Sequence, residues 1–137
     1  MHPIGYALKM FSLGGRGRLL PVKVEDTNGL NLAVYAAETG KGNLCVTLIN
    51  REHGGSGRAA KIVLAPGFAK ARAREMLLTA PENNVAAKTG ITLGGAEIQD
   101  DAAWNGKWTP LVNHAAGGQF TLKLPAASAA LVEITGG

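Results

Sequence analysis

Trp104 and Trp108 are the side chains best suited to holding a ligand, because an exposed indole presents a flat apolar face on which a sugar ring stacks. With Arg72 and Arg74 supplying positive charge for acidic sugars, the four residues make a weak candidate carbohydrate site. Alternation along 106–110 sends Trp108 inward on the same side as Pro110, which is a core position. Trp104, between Asp101 and Asn105, is open to both readings, sugar platform and core.

Hydrolytic chemistry on sugars needs two carboxyl groups flanking the bond, one protonated and one ionised. Asp100 and Asp101 are an adjacent pair, but neighbours in an extended chain point to opposite faces, so they read as a solvated turn before Trp104. His2, His53 and His114 lie in separate segments without a second ligand at metal-site spacing, and His53 and His114 are expected to be exposed. Ser56, between two glycines, lacks the apolar strand that presents a nucleophile. Cys45 is the single cysteine, which rules out an intramolecular disulfide, and its place in the apolar run 44–49 makes it a buried small hydrophobe. No catalytic residue, metal site or cofactor is expected.

The formal charge of +4 raises the question of a polyanionic partner. Basic residues are spread from Lys9 to Lys123, and their close groupings are Arg16 with Arg18 and Lys70 with Arg72 and Arg74. The run from Gly14 to Arg18 is a helix cap and turn rather than an RNA-binding arginine-glycine segment. No apolar stretch approaches bilayer-spanning length. Neither nucleic acid nor membrane is expected as a partner.

These residues must be positioned by one domain, since 137 residues bury one core. Hydrophobic residues at 46% and charged residues at 18% make a foldable chain, and 19 glycines predict many tight turns. Over 3–13 the apolar residues recur at helical intervals after Pro3, predicting a short amphipathic helix that stops at Gly14-Gly15-Arg16-Gly17, where glycine takes left-handed angles. Beyond it the period becomes two. Strands are predicted over 30–38, 44–50, 60–64, 71–79, 91–93, 106–112, 119–124 and 128–135, separated by glycine, proline and asparagine turns. The first two should pair as a hairpin, and 44–50, apolar on both faces, should be central in its sheet. Over 71–79 helix competes, because Ala, Arg, Glu, Met and Leu favour it; the spacing of the neighbours favours strand. About eight short strands in this rhythm predict an all-β fold, a two-sheet antiparallel β-sandwich with a short N-terminal helix.

The order of several motifs resembles one family. Tyr6-Ala7-Leu8-Lys9-Met10-Phe11 followed by Gly17-Arg18-Leu19-Leu20-Pro21-Val22 is similar to the junction between barrel and β-domain in glycoside hydrolase family 79, the heparanase-like and β-glucuronidase-like enzymes. The segments 31–36, 46–51, 90–96, 108–110 and 124–132 resemble that family's C-terminal β-domain, so the likeness covers nearly the whole chain. The resemblance implies that residues 1–16 correspond to the last barrel helix and 17–137 to the sandwich beside the barrel. Both catalytic glutamates of the family belong to the (β/α)₈ barrel, and no segment here matches those motifs.

The resemblance therefore implies a non-catalytic accessory domain that packs on a catalytic barrel in the same or another chain. Its substrates would be glucuronic-acid-containing or related glycans, and its compartment extracellular or periplasmic if the parent enzyme is secreted. The helix carries apolar residues on more than one stripe, which fits a barrel-docking or self-association surface made of Ile4, Tyr6, Leu8, Met10 and Phe11, with a homodimer as one outcome. The alternative is a freestanding carbohydrate-binding module for acidic glycans, using the tryptophans and arginines above.

Overall fold

The computed structural model describes residues 1–40, 42–67, 70–114 and 118–136, with the backbone alone for 113 and 114. One helix, α1 (Pro3–Gly14), precedes ten strands: β1 (Arg18–Leu20), β2 (Leu32–Gly40), β3 (Asn43–Asn50), β4 (Ala60–Leu64), β5 (Ala71–Thr79), β6 (Thr92–Leu93), β7 (Thr109–Leu111), β8 (Asn113–His114), β9 (Gln119–Leu124) and β10 (Ser128–Gly136). They form two antiparallel sheets, so the fold is the expected all-β sandwich with an N-terminal helix. The eight predicted strands are all present, 106–112 reduced to β7. The additional β1 and β8 are three and two residues long, too short to show a period in sequence.

The large sheet runs β1-β2-β3-β10-β5-β6, with β7 sharing β5's outer edge; the small one runs β4-β9-β8. β2 and β3 pair as a hairpin, Leu32 opposite Asn50 and Glu38 opposite Leu44. β5 is a strand despite its helix-forming composition, because it is bonded to β10 on one side and to β6 and β7 on the other. Ladder bonds and burial outweigh a propensity of a few tenths of a kcal/mol, on the order of that scale's spread per residue.

Both faces of the large sheet are covered. Val46, Leu48, Val132 and Ile134 face the small sheet and meet Phe120, Leu122 and Leu124 in the sandwich core. On the opposite face Cys45, Met76, Leu93 and Leu131 pack against Tyr6 and Met10 of α1 and against Ile91 and Ile98 of the 80–108 segment. β10 is consequently buried on both faces, and Glu133 is its single charged residue.

The glycine run after the helix behaves as expected at one position, and one expectation about the helix face is corrected. Gly15 follows α1 at φ −80°, not in a left-handed conformation, and its N–H donates to the Phe11 carbonyl at 2.7 Å. Positive φ is reached at Gly17 (+145°), where a Cβ would overlap the Glu38 carbonyl as the chain is pressed onto β2. Tyr6 and Met10, expected on an outward docking surface with Ile4, Leu8 and Phe11, are 4% and 5% exposed. With Gly14 they form the i, i+4, i+8 row that seats the helix on its own sheet.

Candidate functional site

The residues Ile4, Leu8 and Phe11 recur at i, i+4 and i+7 and so share one face of α1. They remain 70%, 63% and 61% exposed because the helix has already used its other face against the sheet. At its first turn, α1 also borders an apolar groove of about 300 Å³ whose lining includes Pro3, Tyr6, Ile49, Leu78, Val85 and Ile91. The helix is anchored along one flank. The Tyr6 hydroxyl accepts from the Ile98 N–H at 3.0 Å, and the Lys9 ammonium stands 5.1 Å from the centroid of the Trp104 ring.

Trp104 and Trp108 are half-buried and both pack against the outer cluster of the large sheet. The Trp104 indole N–H donates to the Leu93 carbonyl at 2.9 Å, which uses its one polar group. The Arg74 guanidinium lies 4.6 Å from the centroid of the Trp108 ring and is ion-paired with Glu133. Each indole therefore has a protein cation over one face. Arg72 is exposed beside Thr135, one row further along the same sheet face. The structure thus brings Arg74 and Trp108 together, and Lys9, which sequence reasoning did not select, to Trp104. Neither contact is visible in sequence, since the partners are 34 and 95 residues apart.

Five ion pairs are formed among the described residues, and three of them are made by arginines on the sheets and their loops. Glu38, Glu52 and Glu133 are bound by Arg18, Arg58 and Arg74. Asp100 and Asp101 lie in an exposed turn, where Asp101 accepts from the Ala103 N–H at 2.9 Å. Among the described residues no group of three His, Cys, Asp or Glu side chains is placed to hold a metal ion. His53 is exposed as expected; the side chain of His114 lies outside the described residues. Cys45 is buried, and desolvation, with the Glu133 charge adding to it, pushes its thiol up to about 11, far from a reactive thiolate.

Glu75 differs from the other carboxylates. It alternates with Ala73 and Leu77 on the sandwich side of β5, and its Oε2 is buried without a hydrogen-bond partner. Burial pushes its carboxyl above the ordinary value of 4.5, so the folded state favours the protonated form. That contribution to stability is complete below pH 4.5 and is lost as pH rises through the folded value. The variant Glu75→Gln should therefore melt above the wild type at pH 7, and the two should converge below pH 4.5; a difference that does not change with pH refutes the assignment.

Comparison with known proteins gives this architecture a context. The fold recurs within glycoside hydrolase chains. A 4-O-α-L-rhamnosyl-β-D-glucuronidase from Fusarium oxysporum 12S matches 78% of this chain with 24% of its own, at TM-score 0.59 and 22% identity. The catalytic domain of GH30 xylanase C from Talaromyces cellulolyticus matches 95% of the chain with 23% of its own, at TM-score 0.56 and 20% identity. An arabinose-bound GH51 α-L-arabinofuranosidase matches 95% with 18% of its own, at TM-score 0.59 and 19% identity. The chain thus spans roughly a fifth to a quarter of the length of these structures, 18–24%. No protein-family model matches the sequence, and no curated protein does.

Proposed function

We propose that this chain is a non-catalytic accessory domain of a glycoside hydrolase, docked through the outward face of α1 on a catalytic (β/α)₈ barrel in the same or another polypeptide. The observation that carries the reading is the second apolar face of the helix. Ile4, Leu8 and Phe11 stand in water although Tyr6 and Met10 already hold α1 on its sheet. A contiguous apolar stripe on a solvent-facing helix is the mark of a contact surface, and full burial of such side chains is worth about 1.5–3 kcal/mol each. The partial match to glycosidase chains supports a barrel as the body that covers it. The motif order resembling family 79 narrows the proposed parent to a heparanase-like or β-glucuronidase-like enzyme acting on glucuronic-acid-containing glycans. The domain's part is to stabilise the barrel and frame its cleft. The cations over Trp104 and Trp108 support docking over the carbohydrate-module alternative, because a ring face covered by Lys9 or Arg74 is withdrawn from a sugar.

The test mixes the chain with the barrel polypeptide this reading requires, and follows the barrel's melting temperature and glycosidase activity. Both should rise on mixing. Ile4→Asp with Phe11→Asp changes side chains that stand in solvent in the isolated chain, so it should leave this domain's own melting nearly unchanged while weakening the complex at least about tenfold. A barrel indifferent to the chain, or a complex indifferent to the double variant, rejects the reading. Binding of an acidic glycan by the isolated chain that disappears in Trp104→Ala would favour the carbohydrate module instead.

A further inference from the structure

We propose that the chain pairs with a second copy of itself along the free edge of β4, joining the two small sheets into one six-stranded sheet. Among the described residues β4 is paired with β9 alone, so its other edge carries backbone donors and acceptors that a further strand would satisfy. The sandwich is also incomplete on that side. Across the β4–β9 ladder, Phe120 and Leu122 are buried while their partners Leu64 and Ile62 are half-exposed. On the large sheet, likewise, Val46 and Leu48 of β3 are buried while Val34 and Ala36 of β2, packed on the same core, are half-exposed. The Arg58 guanidinium, just ahead of β4, donates to the carbonyls of Asn28 and Gly29, just ahead of β2, at 3.1 Å each. The two half-exposed rows therefore lie on the same side of the sandwich core.

The residues of β4 indicate a second copy as the occupant. An antiparallel pairing about a two-fold axis through Ile62 sets Ala60 against Leu64 of the second copy, small against large, on the core face. On the outer face the same register sets Lys61 against Val63 of the second copy. Within one chain Lys61 already faces Lys123 across the ladder, and like charges directly opposite are destabilising. The two-fold register adds no third lysine to that row. α1 packs on the other face of the large sheet, so this pairing leaves Ile4, Leu8 and Phe11 free.

Sedimentation equilibrium or light scattering across a wide concentration range tests the proposal. The mass should climb from one chain toward two. Val63 is 54% exposed, so it can be changed without disturbing the core. Val63→Glu sets a carboxylate against Lys61 twice in each dimer and should tighten it about three- to tenfold; Val63→Lys should weaken it by a similar factor. A single-chain mass at every concentration overturns the proposal. So does a dimer indifferent to both changes at Val63, including one lost in Leu8→Asp, which would place the contact on the helix.

Discussion

Replacing Asn50 with leucine should lower the melting temperature by about 10 °C, the largest single-residue effect expected outside the apolar core. Asn50 ends β3 and is 1% exposed, one of two buried polar residues in the described chain. Its Nδ2 donates to the carbonyls of Arg58 at 2.9 Å and Leu124 at 3.2 Å, and its Oδ1 accepts from the Glu52 N–H at 3.1 Å. One side chain on the large sheet thus holds the end of β9 and the approach to β4, both parts of the small sheet. Leucine has similar volume and none of these groups, so two carbonyls and an N–H lose their partner, the Leu124 carbonyl in a buried place and the other two where burial is partial. Each costs about 1–3 kcal/mol, reduced where relaxation admits water, and a total near 3 kcal/mol is a fair expectation. At about 3–4 °C per kcal/mol for a domain of this size, thermal melting by circular dichroism reads the effect directly. A fall of less than about 2 °C would mean that Asn50 does not join the sheets.

The second large effect runs against helix propensity. On an exposed helix face Gly→Ala is stabilising by about 1 kcal/mol. Gly14 ends α1 where the helix touches β3 and β10, and a Cβ there would overlap the Cys45 Sγ and stand 3.1 Å from a Leu131 methyl. Overpacking of this kind costs about 1–3 kcal/mol, so Gly14→Ala should destabilise the chain by about 2 kcal/mol. Cys45→Ala removes the sulfur. The double variant should recover at least half of the loss, a coupling of about 1 kcal/mol between residues 31 apart in sequence. If Gly14→Ala melts at or above the wild type, or if the two changes simply add, α1 does not lie where the structure puts it. The same close approach is what turns Ile4, Leu8 and Phe11 outward, so this experiment also probes the footing of the docking surface.

Much of the fold is legible in the residues themselves. The alternation of Leu30, Leu32, Val34 and Ala36 marks the face of β2 that joins the sandwich core, and the two-sided apolar run 44–49 marks β3 as an inner strand. Glycine, proline and asparagine mark the turns between strands. The helix could be read in its position but not in its orientation. Its apolar residues cover most of its circumference, so periodicity alone cannot say which stripe meets the sheet. Gly14, facing the Cys45 sulfur and the Leu131 methyls, decides it by letting the helix end approach the sheet closely on that side. Trp104 was similarly undetermined, because an indole in a turn is apolar enough for either role; the Leu93 carbonyl and the Lys9 ammonium give it a place.

By itself, then, the amino-acid order determined the class of structure: an all-β sandwich led by a helix, with eight of its strands, its hairpin and the two-faced burial of the segment 44–50. These follow from local rules, the two-residue period of a pleated strand and the backbone preferences of glycine and proline, which act over a few residues. The tertiary structure alone decided which strands lie at the edges of the two sheets, which helix residues stay in water, and that Asn50 spans two sheets. Those outcomes depend on contacts between residues tens of positions apart, and such contacts exist only once the sheets have closed on one another.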